Sequence, residues 1–432
     1  MSANRLTRWA GKVLEDNRPW LMVVAVILLL FPVLGDIAYA QEVSWAKKAG
    51  GQYSEAVAGI AVDGSGNVYV IGDTDATWNG PGGESPLHAF SENSDFFVVK
   101  LNSSGVYQWH TFYGSSAEDY GYSIAVDGSG DVYVTGECSS TWSGSGGESP
   151  LHAYSGSAFN DLFVLKLSSA GAYQWHTFYG STVDDHSQSV AVDGSGNVYL
   201  AGYSSFGWDG PGGESPLHAH SESTLNNLLI LKLSSDGAYQ WHTFYGSSSY
   251  NYSSSAAVDV SGNVYATSHS YGNWNGPGDE SPLHAHSGTG WDVAVLKLDS
   301  SGAYQWHTFY GSPSDDLPYS VAVDGSGSAY VTGRSEATWS GPGDEGSLHS
   351  HSGFWDVFVL KLSAGGSYQW HTFYGVPSAY DYGVSNAIGG IGDVYVTGHS
   401  GSTWTGPSGE SPLHAKSGDW TTEDLFVLKL AQ

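Results

Sequence analysis

The residues in this chain whose type and spacing most suggest chemistry are six tryptophans: Trp78, Trp142, Trp208, Trp274, Trp339 and Trp404. Each is followed six positions later by a glutamate (Glu84, Glu148, Glu214, Glu280, Glu345, Glu410). Ten positions after the tryptophan comes a histidine (His88, His152, His218, His284, His349, His414). All lie in near-copies of Thr-Trp-x-Gly-Pro-Gly-Gly-Glu-Ser-Pro-Leu-His-Ala-x-Ser. A flat indole beside a carboxylate and an imidazole suits a sugar or a cation, so a ring of six equivalent ligand sites is one reading. The other is a folded loop, with Trp and Leu packed on the sheet beneath and Glu and His satisfying backbone groups. A loop of about twenty residues needs a small core of its own to stay ordered.

A second set breaks the sameness. Where the second strand of each unit ends, nearly fixed text gives way to Asp73, Glu137, Tyr203, His269, Arg334 and His399. Ionisable side chains at variable, loop-proximal positions are candidates for specific recognition. With strands about 4.8 Å apart, these positions fall on the order of 12 Å from a ring axis, too dispersed to share one metal ion but able to touch one large ligand. A loop start that tolerates any residue is the competing reading.

Other chemistry finds little support. Seventeen histidines are present, but eleven sit at two repeated positions and so spread around the molecule rather than converging on a zinc ion. His218 with His220, or His284 with His286, are the nearest to a local site. Asp-Gly-Ser-Gly-Asn lacks the alternating acidic ligands and distal Glu of a calcium loop, and a hairpin turn explains it. No Gly-x-Ser-x-Gly elbow and no phosphate loop occurs. The acidic pairs Glu118-Asp119, Asp184-Asp185 and Asp315-Asp316 could do acid–base work, but they recur where a link wants turn formers. No catalytic residue, metal site or cofactor is expected.

The elements that position these residues follow from a repeat. The segment Tyr-Gln-Trp-His-Thr-Phe-Tyr-Gly starts at Tyr107, Tyr173, Tyr239, Tyr304 and Tyr368. Val-Asp-Gly-Ser-Gly-Asn-Val-Tyr-Val, with small changes, starts at Val62, Val126, Val192, Val258, Val323 and Ile388. Trp45, Trp109, Trp175, Trp241, Trp306 and Trp370 are spaced 64, 66, 66, 65 and 64 residues apart, so six units account for the chain after its first forty residues. Composition agrees: 59 Gly and 14% aromatics against 13% charged residues favour an all-β chain with many tight turns. In the second unit, strands are expected at 123–126, 132–135, 162–167 and 173–179. Turn formers lie between the first two and between the last two. Four-stranded antiparallel units in radial repetition make a β-propeller, here of six blades. The chain ends on a third strand, and 43–50 aligns with the fourth strand of the other units. The N-terminal strand is therefore expected to complete the last blade and close the ring, removing an open edge. Alternation of strand direction puts the short turns on one face. The long loops and acidic links share the other, where any binding surface is expected.

The text IAVDGSGNVYVTG, followed by DxFVxKLxxxGxxxW and a Gly-Ser-rich acidic link, resembles the SBBP-type β-propeller repeat of exported bacterial proteins over residues 43–432. The resemblance implies the propeller fold and an extracellular or surface setting, but no particular activity. The chain departs from the pattern at Gly389, in place of the turn Asp, and at Asn227, in place of the Asp before the third strand.

The first forty residues differ from the rest. Arg5, Arg8, Lys12 and Arg18 precede an apolar run over 20–34, and Ala38-Tyr39-Ala40 has the small-x-small form of a cleavage site. Residues 1–40 therefore read as a signal peptide and 41–432 as the propeller. An uncleaved anchor is the alternative, though fifteen apolar residues are short for a hydrocarbon core of about 30 Å. The whole chain carries a net charge of −29, and removing 1–40 leaves 10 Lys and Arg against 40 Asp and Glu. Such a surface disfavours nucleic acid and anionic membrane as partners. Cys138 is the only cysteine, so no intrachain disulfide forms. The expectation is a secreted or cell-surface, non-enzymatic binding module acting through its long-loop face on a protein or surface glycan. A glycan-binding module using the tryptophan ring is the first alternative, and an extracellular hydrolase or lyase the second.

Overall fold

A computed structural model describes residues 55–156, 159–221, 225–390, 392–406, 409–412, 415–416 and 423–431. Its secondary structure is strand and turn, arranged as six antiparallel sheets whose strands follow chain order. Blades 1 to 5 span 55–113, 119–179, 185–245, 251–310 and 316–374 with four strands each. Blade 6 has three described strands, Asp381–Ile388, Val394–Ser400 and Asp424–Leu430. The expected signal peptide and the 43–50 strand lie outside the described residues, as does His414.

Local sequence accounts for each hairpin. After the first strand of blade 1 (Glu55–Val62), Asp63 Oδ1 accepts the amide N–H groups of Ser65 and Asn67, both at 2.9 Å. Tyr69 Oη donates to Asp63 Oδ2. Gly66 closes the turn at φ 78°, a conformation that costs a residue with a Cβ. A register slip at residues 57–59 places a bulge in the first strand, and the same slip recurs in every blade. First strands of successive blades pack against one another, so they line the inside of the ring.

The core lies between blades. Tyr69, Ile71, Phe96, Val98 and Trp109 of blade 1 pack on Ile124, Val134 and Phe163 of blade 2, and the pattern repeats down the chain. Trp109 Nε1 and Lys100 Nζ both donate to the Ser169 carbonyl of the next blade, at 3.3 and 2.7 Å. The positions of Phe96 and Val98 are fully covered in blades 1 to 5, but their counterparts in blade 6, Leu425 and Val427, are 66% and 51% exposed. Ile60 of blade 1 is likewise exposed where Ile124 and Val190 are buried. The apolar side chains on the outward flanks of blades 6 and 1 are thus uncovered by described residues, and no described strand of blade 6 packs on blade 1 as consecutive blades pack on each other.

Strands start earlier than their apolar text. The first strand of blade 2 runs Asp119–Val126 and the second Val132–Cys138, so Asp119, Asp185 and Asp316 are not link residues. Each opens a first strand and is fully buried. Asp119 Oδ2 accepts Ser115 N–H at 2.6 Å and Ser115 Oγ–H at 2.8 Å, which clamps the link between blades. Asp95, the start of the preceding third strand, is buried beside it: a Cβ on Gly114 would touch both carboxyls. The pair recurs as Asp161 with Asp185, Asp292 with Asp316 and Asp356 with Asp381, but as Asn227 with Asn251 between blades 3 and 4. The departure at Asn227 is therefore one half of a paired change.

Candidate ligand-binding face

Because every sheet is antiparallel, the long loops after the second strands and the links after the fourth share one face. The repeated loop text is consumed in building that face. Trp78 stacks on His110 of its own blade's fourth strand at 4.2 Å and 12°, with Phe97 and Phe112 edge-on. His110 Nε2–H donates to the Trp78 carbonyl at 2.9 Å, so its Nδ1 accepts from Tyr107 Oη at 2.6 Å. Burial holds His110 neutral, and pushes His176, His242, His307 and His371 down to about 4. Glu84 bends back to accept Gly82 N–H at 2.8 Å. Leu87 N–H donates to the His110 carbonyl and Phe112 N–H to the His88 carbonyl, so the loop covers the outer strand of its blade. His88 Nδ1 donates to the Phe112 carbonyl.

The tryptophans are therefore not placed as a stacking ring. Trp78, Trp142, Trp274 and Trp339 are 4–7% exposed, and the indoles of the first five loops each face an imidazole at 3.9–4.2 Å. Trp208 and Trp404 are half-buried; Trp404 packs on Phe426 and Tyr374. The sugar-binding surface expected of these six residues is occupied by the protein's own rings.

The variable residues at the second-strand ends fall on the inner part of this face and join a continuous belt. First-strand residues from the next blade fill the spaces between them. Asp73 Oδ1 accepts Gly121 N–H at 2.8 Å. Glu137 accepts from Tyr122 Oη at 2.7 Å and pairs with His186 of blade 3. His186 stacks on Tyr203, which meets Tyr252 edge-on at 5.0 Å. His269 lies 5.3 Å from Tyr252 and 5.1 Å from Trp291. The Arg334 guanidinium sits 3.7 Å over Trp355 and 5.5 Å from Tyr382. His399 faces Glu423 at 3.5 Å. Sequence reading missed Tyr120, His186, Tyr252 and Tyr382 in the first strands, and Trp291 and Trp355 before the third. The signal was the same in kind: these positions also vary among otherwise near-identical repeats.

The belt is electrostatically uneven. Around blades 1 and 2, Asp73, Asp75, Glu118 and Tyr120 line a shallow cleft of about 420 Å³ with Asn93. Burial, with Glu137 and Asp75 nearby, pushes the Asp73 carboxyl up to about 7 despite its hydrogen bond from Gly121. Burial would raise Glu137 too, but the His186 hydrogen bond and charge hold it below the ordinary carboxylate value and raise His186 in return. Around blades 4 to 6 the belt is aromatic, with Arg334 the only arginine among the described residues. No group of three His, Cys, Asp or Glu among the described residues is placed to hold a metal ion.

A curated relative, the uncharacterized WD repeat-containing protein L264 of Acanthamoeba polyphaga mimivirus, is 24% identical over 177 residues, which are 35% of this chain and 12% of that protein's length. Among solved structures, the WD40 domain of Neurospora crassa Pan2 aligns with a TM-score of 0.39 at 8% identity, covering 79% of this chain and 74% of that one. The β-propeller domain of the Trilobed protease from Pyrococcus furiosus aligns with a TM-score of 0.40 at 8% identity, covering 85% of each chain. The SBBP model, a beta-propeller repeat, matches residues 45–77, 108–141, 174–207 and 305–338. Four of the units from which this chain is built are therefore SBBP β-propeller repeats.

Proposed function

We propose that this β-propeller repeat protein is an exported, non-catalytic binding module whose recognition surface is the inner belt, the long loops serving as its frame. One observation carries the reading. Where repetition is strict the side chains are spent on one another; where it breaks, ionisable and aromatic side chains gather on one face. The basic, then apolar, start of the chain supports export. The partner is a protein or a surface glycan that meets the belt rather than the loop tryptophans.

The test is an array of glycans and peptides probed with the native chain and with a variant carrying Glu137→Ser, Tyr203→Ser, His269→Ser and Arg334→Ser. The native chain gives discrete hits, and the variant loses them while melting in the same range. Hits that survive all four changes, or a native chain that gives none, would overturn the reading. The Asp73 cleft favours a second reading, an extracellular hydrolase or lyase, since a carboxyl near 7 can exchange protons at neutral pH. Turnover of a polysaccharide that Asp73→Asn abolishes would establish it.

A further inference from the structure

We infer that the aromatic sector of the belt, centred on Arg334, is a subsite for a single carboxylate-bearing sugar ring. The inference rests on the belt's being a recognition surface and adds the class of ligand. Arg334 stands where the other blades hold Asp, Glu, Tyr and two His, so the fold does not require a cation there. Among the described residues no carboxylate lies within ion-pairing distance of it. That is unusual in a chain with 43 Asp and Glu against 14 Lys and Arg, where a structural arginine readily finds a partner.

Its geometry is that of a receptor. Stacking on Trp355 uses the flat face of the guanidinium, and its edge, which carries the paired N–H groups, meets only the neutral hydroxyls of Tyr319 and Tyr382, which a carboxylate gripped in plane can displace. Trp355 is itself fixed, its Nε1–H donating to Glu336 at 2.8 Å. Beside Arg334, the buried Nδ1 of the half-buried His269 has no hydrogen-bond partner, and neither does Arg334 Nε. Trp291 packs on His269, with Tyr250 and Tyr271 still 42% and 47% exposed next to it. Flat rings beside a cation suit a pyranose whose C–H face stacks while its acid group is held. The acidic remainder of the chain repels polyanions and phosphate dianions, so one carboxylate per recognised unit is favoured.

The experiment titrates the full chain, by isothermal calorimetry, with methyl β-D-glucuronoside, its methyl ester, methyl glucoside and inorganic phosphate. The expected result is saturable binding of the glucuronoside. The ester and Arg334→Gln each weaken it about 10-fold or more, the scale of a lost charge-assisted pair. Arg334→Gln should melt as the native chain does, since this position already accepts five other residues. Equal binding of ester and acid, or phosphate binding as tight as the glucuronoside, overturns the inference. So does a glucuronoside affinity indifferent to Arg334→Gln, or no binding at all. In each of these cases the belt reading still stands or falls on the array.

Discussion

Replacing Asp119 with Asn should stabilise the protein, and by an amount that grows with pH. Asp119 is fully buried at the junction of blades 1 and 2, beside Asp95, and its Oδ1 has no partner. Burial, reinforced by Asp95, pushes its carboxyl from 3.8 to about 7 in spite of the Ser115 hydrogen bonds. At about 1.4 kcal/mol per tenfold change, the ionised form costs the folded state up to ~4 kcal/mol at pH 8. The sign follows from linkage. Between pH 4 and 7 the folded chain holds a proton that the unfolded chain has lost, so this group's contribution to stability falls as pH rises and is flat below 4 and above 7. An amide keeps the shape and accepts both Ser115 bonds without the charge, and Asn251 shows that the site takes one. Thermal melts of native and Asp119→Asn proteins should therefore coincide near pH 4 and separate progressively up to pH 8, the variant being higher. The comparison must be between variants, because the buried histidines work oppositely: held near 4, they lose stability as pH falls below 6.5. A difference in melting temperature that did not change with pH would refute the reasoning.

Four further outcomes are expected. Cys138 occupies the position from which Ser335 and Ser400 donate to Asp316 and Asp381, so Cys138→Ser should supply the donor that Asp119 Oδ1 lacks, adding about 1 kcal/mol in denaturant unfolding at pH 7. Trp142→Ala should cost about 3–5 kcal/mol in the same assay, since it empties the space between His176, Phe163 and Phe178, and should leave belt ligands bound as before. Glu137→Gln should lower the proton affinity of His186, read as a downward shift of its NMR titration, because that affinity is raised by the carboxylate. Deleting residues 41–50 should depress the melting temperature by several degrees and promote aggregation on light scattering; an unchanged melt would exclude that segment from ring closure.

The fold was legible because it is written six times. Turn residues, aromatic strands and spacing all specify one blade, and repetition removes the ambiguity of any single reading. Strand starts were harder: Asp119, Asp185 and Asp316 look like turn formers, and only the packing of neighbouring blades shows them buried at strand ends. Of the candidate site, only the placement of its residues was legible. The variable second-strand ends do share a face, as Arg334, His269 and Glu137 show. Yet the loop tryptophans looked more like a site than they are. Nothing in Thr-Trp-x-Gly-Pro-Gly distinguishes an indole that faces solvent from one stacked on His110, because that contact joins residues 32 apart. Cys138 gained a meaning only once its neighbour Asp119 was seen to lack a donor.

We propose that recognition belongs to the belt and structure to the loops. It is tested most directly by measuring, for the strongest ligand found on the array, the affinities of two single variants of equal melting temperature: Arg334→Gln in the belt and Trp208→Phe in a loop. Affinity that falls with the first and holds with the second is the expected result. The opposite pattern, with the loop change abolishing binding and the belt change without effect, would contradict it.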